Sequence, residues 1–132
     1  MPATVQLRTA ARTDMVDITA VVQKEVQKSN VNDGICIIYV PHTTAGVTIN
    51  EGADPDVCWD IMTKLNEMVP PDSGYRHAEG NSDSHIKASL MGSSVTVLVE
   101  GGRLVLGTWQ KIFFCEFDGP RSRSVYVKIL GQ

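Results

Sequence analysis

Three histidines are the first residues in this chain with chemistry to offer, because imidazole both binds divalent metals and exchanges a proton near neutral pH. They are His42, His77 and His85. His42 follows Pro41 at the end of an apolar run, in His42-Thr43-Thr44. His77 and His85 bracket the stretch His77-Ala78-Glu79-Gly80-Asn81-Ser82-Asp83-Ser84-His85. All three are expected at segment ends or in loops, where a reactive group faces a cleft while the scaffold stays packed. Three imidazoles and one open position would make a zinc-type catalytic site. The spacing of His77 and His85 matches no compact ligand motif, so three loop histidines, exposed or hydrogen-bonded, are the plainer alternative.

Carboxylates and arginines form two further clusters. In Asn50-Glu51-Gly52-Ala53-Asp54-Pro55, Asp54 has the structural task of helix N-cap, worth about 1 kcal/mol. Asn50 and Glu51 have no such task, and a carboxylate there can hold a metal or act as a base. In Asp118-Gly119-Pro120-Arg121-Ser122-Arg123, two guanidinium forks suit phosphate oxygens, with Asp118 ordering one fork or sharing a cation. A solvated turn with surface arginines is the plainer reading. Gly107-Thr108-Trp109-Gln110 adds an amide and an indole, and Trp109 is expected more as core than as a platform for a ring. Taken together, these groups suit an anionic, phosphorylated substrate and a divalent cation.

The elements that must position them follow from periodicity. Val5 and Leu7 alternate with polar neighbours, predicting a strand over 3–9, with a second short one over 14–17. Ile18, Val21, Val22 and Val26 have helical spacing, ending before the turn Asn32-Asp33-Gly34. Ile35–Val40 is apolar on both parities and β-branched, predicting a central strand covered on both faces. Gly46–Ile49 returns as a strand. Asp54-Pro55 opens a helix with a buried stripe of Val57, Ile61, Leu65 and Met68, stopped by Pro70-Pro71. A third helix starts at Ser82 or Asp83, carries Ile86 and Leu90, and closes at Gly92. Val95, Val97 and Val99 alternate, Gly101-Gly102 turns, and Leu104-Val105-Leu106 returns. Trp109–Phe117 and Ser124–Leu130 complete an antiparallel set. The expected architecture is α+β, a single domain over 1–132, with three helices packed on a largely antiparallel sheet.

Composition agrees with one globular unit. The chain has 132 residues, 42% hydrophobic and 20% charged, which argues against disorder. Twelve basic and 15 acidic side chains give a net charge of −3, which disfavours nucleic-acid binding. The longest apolar run is far short of a membrane span, and the start lacks the apolar block of a secretory signal. Cys36, Cys58 and Cys115 are widely spaced in apolar surroundings, expected as core thiols of a reduced, cytoplasmic protein.

His42-Thr43-Thr44-Ala45-Gly46-Val47-Thr48-Ile49-Asn50-Glu51, followed by Asp54-Pro55, resembles the first signature of the YjbQ family. His77-Ala78-Glu79-Gly80-Asn81-Ser82 with His85, then Gly107-Thr108-Trp109-Gln110, resemble its second and third. Glu116-Phe117-Asp118-Gly119-Pro120-Arg121 with Arg123 completes the pattern over nearly the whole chain. The resemblance implies an α+β fold, a homotrimer, and a secondary thiamine-phosphate synthase activity. That reaction joins an aminopyrimidine diphosphate to a thiazole phosphate and releases pyrophosphate. On this reading His42, Glu51, His77, Glu79 and His85 are catalytic, with the three histidines also as metal ligands. Thr43, Thr44, Asn50, Asn81, Trp109, Gln110 and Asp118 would contact substrate, Arg121 and Arg123 would bind its phosphates with a cation, and Glu51, Glu79 or Asp118 would hold that cation.

Pyrophosphate departure leaves a benzylic-type cation, so catalysis needs charge neutralisation and placement of the thiazole nitrogen. Magnesium, the usual partner of diphosphate, prefers oxygen ligands, whereas three histidines suit zinc or another transition metal. Convergence of the histidines on one metal would favour a phosphoester or pyrophosphate hydrolase instead. A non-catalytic metal- or small-molecule-binding trimer is the third expectation.

Overall fold

The β-branched run after Gly34 lies in the middle of a sheet. A computed structural model describes residues 2–132. In chain order the elements are β1 (Ala3–Arg8), β2 (Asp14–Asp17), α1 (Thr19–Ser29), β3 (Gly34–Tyr39), β4 (Ala45–Glu51), α2 (Pro55–Met68), α3 (Ser82–Met91), β5 (Ser94–Glu100), β6 (Arg103–Leu104), β7 (Gln110–Glu116) and β8 (Ser122–Gly131). The fold is α+β as expected, but its strands form two antiparallel sheets. One has the order β1-β8-β3-β5-β6 and the other β2-β7-β4.

Alternation explains the main core. Val5, Cys36, Ile38, Val97, Val99, Val125 and Val127 point inward from the five-stranded sheet to meet Val22 and Val26 of α1 and Val47, Ile112 and Phe114 of the smaller sheet. A fully buried side chain such as Phe114 contributes about 1.5–3 kcal/mol through its area alone. On the other face of the smaller sheet, Phe113, Cys115 and Phe117 meet Ala88 and Met91 of α3 and Cys58, Met62 and Leu65 of α2.

The strand covered on both faces is therefore β7, whose residues from Ile112 to Glu116 are all buried, and not β3. Helices α2 and α3 lie over the outer face of the smaller sheet, and α1 packs into the core against the inner face of the larger one, whose other face carries no helix among the described residues. Across the larger sheet Ile35 and Ile37 are half-buried, while Tyr39, Leu98, Tyr126 and Leu130 are exposed.

Two helical faces also differ from expectation. Asp54 caps α2 as predicted, accepting the Asp56 N–H at 2.9 Å. Its stripe is not buried: Val57, Ile61 and Leu65 are half-covered and Met68 is 62% exposed. In α3, Ile86 and Leu90 face outward, while Asp83, Ser84, Lys87 and Ala88 are buried. The reason is a buried ion cluster. Lys87 Nζ donates to Asp83 Oδ2 at 2.9 Å and to Asn66 Oδ1 on α2 at 2.6 Å. Arg12, between β1 and β2, grips the same carboxylate at 3.0 and 3.3 Å. Burial works against the charged form of Asp83, but the hydrogen bonds from Lys87 and Arg12 outweigh it and hold its pKa below the usual carboxylate range. Among the described residues no helix is long and apolar enough to cross a membrane.

Candidate functional site

Glu116 ends β7 inside the protein, where an unpaired carboxylate would be costly. Its Oε1 accepts from the Thr9 hydroxyl at 2.8 Å and from Arg123 Nε at 2.8 Å. Its Oε2 accepts from the N–H groups of Phe117 and Asp118, at 3.1 and 3.0 Å, and from Arg123 Nη2. Burial opposes ionisation, yet these donors prevail and keep Glu116 below the ordinary glutamate range. The carboxylate thereby fixes the turn that follows β7. Gly119 is required there, since a Cβ would run into Ala11 O, Glu116 and Thr9.

That turn places the polar groups in sequence. Asp118 Oδ2 accepts from Asn81 Nδ2 at 2.9 Å and from Arg121 Nη2 at 3.0 Å, and its carbonyl takes Arg121 Nε–H at 2.7 Å. Ser84 of α3 donates to Phe117 O at 2.5 Å, tying the helix to the same turn. Arg123, only 5% exposed, also reaches the Thr44 hydroxyl at 2.9 Å. Expected on a substrate phosphate, Arg123 instead joins Glu116 to Thr44 as an internal strut. Arg121 is the arginine of the pair that remains exposed.

Beside the strut, the Ser124 N–H donates to His42 Nε2 at 3.1 Å. That nitrogen is an acceptor, so the neutral ring carries its proton on Nδ1. Burial and the Arg123 charge hold the His42 pKa below its usual value, favouring the neutral ring. A cleft of about 520 Å³ is lined by His42, Thr43 and Ala45 on one side and His85, Ala88 and Ser89 on the other. His85 lies within the first turns of α3, not in a loop. Its ring meets His77 edge-on at 5.4 Å, and His77 Nε2 stands 3.6 Å from Glu79. Asn81 Oδ1 is buried without a partner among the described residues.

The other predicted residues lie elsewhere. Asn50 and Glu51 pair with Lys111 and Gln110 at the far end of β4 and β7, and a seven-residue strand spans roughly 20 Å. Asn50 Oδ1 accepts the Glu51 N–H at 2.7 Å, and Gln110 Oε1 accepts the Gly107 N–H at 2.7 Å. Trp109, expected in the core, is 63% exposed. Within one chain, then, the polar residues form two groups at opposite ends of a sheet.

A three-histidine metal does not fit this arrangement. His42 Nε2 is engaged by Ser124 and Nδ1 bears the proton. No three His, Cys, Asp or Glu side chains among the described residues form a metal-holding group. Glu116, Asp83 and Lys87, which position the site, were missed as functional residues. Their signals were a lone acid inside Phe113-Phe114-Cys115-Glu116-Phe117 and an i,i+4 acid–base pair.

The whole chain has close relatives. A family model described as UPF0047 protein YjbQ-like matches residues 3–132. A UPF0047 protein of Methanocaldococcus jannaschii is 54% identical over 127 residues, covering 96% of this chain and 92% of that protein. YugU of Bacillus subtilis is 50% identical over 132 residues, covering 99% and 100%. An uncharacterised YjbQ/UPF0047 family protein from Clostridium acetobutylicum superposes with a TM-score of 0.96 at 53% identity, covering 97% and 99% of the two chains. A YbjQ-like protein of unknown function from Sulfolobus solfataricus gives 0.95 at 38% identity, covering 100% and 97%. Matching in sequence along its length and in fold, the chain belongs to the YjbQ-like UPF0047 family.

Proposed function

We propose that this protein is a transferase with secondary thiamine-phosphate synthase activity, joining an aminopyrimidine diphosphate to a thiazole phosphate with release of pyrophosphate. The observation that carries this reading is the placement of His42 and His85 on facing walls of one cleft, with the His77 ring edge-on against His85 and His42 held by the Ser124 N–H beside the Glu116–Arg123 strut. Neutral His42 offers an Nδ1–H donor and Thr43 a hydroxyl to phosphate oxygens, and Arg121, oriented by Asp118, offers a guanidinium fork. His77 and His85 donate to the departing pyrophosphate, where charge accumulates as the C–O bond breaks.

Magnesium suits the diphosphate, and Asp118, on the turn after β7, and Glu79, beside His77, are the carboxylates that would hold it. When bound, it would neutralise leaving-group charge. Asp118 commits only Oδ2 to Asn81 and Arg121, so its second oxygen has no protein partner among the described residues. We also propose a homotrimer, supported by the uncovered apolar face of the larger sheet.

The test is thiamine-phosphate formation from the two phosphorylated precursors with magnesium, comparing the native protein with His77→Ala. The expected result is product whose rate falls by about 100-fold in the variant. Equal traces in both would mean contamination. No product, with phosphate released from simple esters, would transfer the site to the hydrolase reading.

A further inference from the structure

A second pocket, apart from the histidine cleft, lies between the start of α1, the β5–β6 hairpin and the first residues of β7. It encloses about 500 Å³ and includes Arg103, Lys111, Leu104, Leu106, Gln27 and Asp17 in its lining. That volume is typical of small-molecule sites. Its walls are tied together. The Gln23 amide donates to Gly102 O at 3.1 Å and accepts the Leu104 N–H at 3.0 Å, fastening the hairpin to α1. Thr19 Oγ1 accepts the Ile112 N–H at 2.8 Å, fastening α1 to β7.

The charge in the pocket is unusual for an acidic chain. Arg103 and Lys111 make no ion pair among the described residues. The one carboxylate, Asp17, turns Oδ1 to the Thr19 N–H. The lining therefore has one positive charge in excess, in a protein of net charge −3. Half-buried Leu104 and Leu106 supply an apolar wall beside the two cations.

Gly52 provides a second, independent observation. A Cβ at that position would collide with Lys111 Cβ and Cγ, the base of the side chain and not its mobile tip. The Lys111 stem thus lies across the Gly52 backbone, which limits where its ammonium can go. A glycine that seats a lysine, a guanidinium without a partner and an apolar wall meet in one rigid concavity.

From this we infer that the Arg103–Lys111 pocket binds a small phosphate monoester with a compact apolar body. The guanidinium fork and the ammonium share the dianion, and Leu104 and Leu106 pack against the body. The inference stands independently of the transferase reading, since none of these residues lines the histidine cleft.

The test is titration of the full-length protein with phenyl phosphate, followed by calorimetry and by NMR shifts, with inorganic phosphate as the comparison. Saturable binding is expected, tighter for phenyl phosphate, with shifts centred on Gln27, Leu104 and Lys111. Arg103→Ala and Lys111→Ala should each weaken it about tenfold. Gly52→Ala should weaken it about threefold by displacing Lys111. Lys64→Ala, which removes an exposed cation on α2 outside the pocket, should leave it unchanged. The two cations are exposed, so their removal should leave the fold intact. Absence of saturation, indifference to Arg103→Ala and Lys111→Ala, or an equal loss in Lys64→Ala would overturn the site. Unchanged binding in Gly52→Ala would overturn the seat proposed for Lys111.

Discussion

At Glu116 two carboxylate oxygens receive five donor groups, from Thr9, Phe117, Asp118 and both ends of the Arg123 fork. Glu116→Gln leaves the Arg123 charge buried without a counter-charge, so it should destabilise the fold by about 3–5 kcal/mol. Urea titration would measure this, and a cost below 1 kcal/mol would contradict the strut. Acidification should act on the same residues. The pKa values of Glu116 and Asp83 are lowered from 4.5 and 3.8, so the unfolded chain protonates first. Their stabilisation is present above those values and is lost as pH falls through the folded ones. His42, lowered from 6.5, follows the same sign at higher pH. Stability should therefore decline in two stages, gently below about 6.5 and steeply below about 4.5. In His42→Asn the first stage should disappear from denaturation curves recorded across that range.

Elements were legible where burial followed apolar period. The alternation of Val95, Val97 and Val99 and the cap at Asp54 both hold in the structure. The orientation of α3 was not legible, because Ile86 and Leu90 make as good a stripe as Asp83 and Lys87 make a salt-bridged edge. Which stripe turns inward depends on Arg12 and Asn66, which lie 71 and 21 residues away from their partners. The site was legible to a similar extent. The histidines and Arg121 were visible as residue types, but only the folded chain distinguishes the exposed Arg121 from the buried Arg123. Substitution can measure the orientation of α3. Lys87→Ala should cost about 3 kcal/mol, through a buried acid cluster left short of charge and a cavity. Ile86→Ser should fall within about 0.5 kcal/mol of native. Thermal unfolding of the two variants gives the comparison, and equal losses would mean that the helix faces the other way.

For the whole molecule, the uncovered face of the larger sheet is the outstanding feature. Tyr39 and Tyr126 stack across it at 6.4 Å, with Leu98 and Leu130 exposed beside them. Light scattering should give three times the 14.4 kDa chain mass, and Leu98→Asp should return the mass to that of one chain. A monomeric native protein would remove the trimer. The opposite flank has its own consequence. Helix α2 has no fully buried side chain, so it belongs among the segments that open without the rest of the fold. Its Cys58 is half-buried, whereas Cys36 and Cys115 are buried, with thiols pushed up by burial to about 11 and about 12. The three thiols thus amount to two clocks in one chain. A thiol reagent would tag Cys58 at the rate at which α2 lifts, with little dependence on denaturant, and would reach the other two only when the entire domain comes apart.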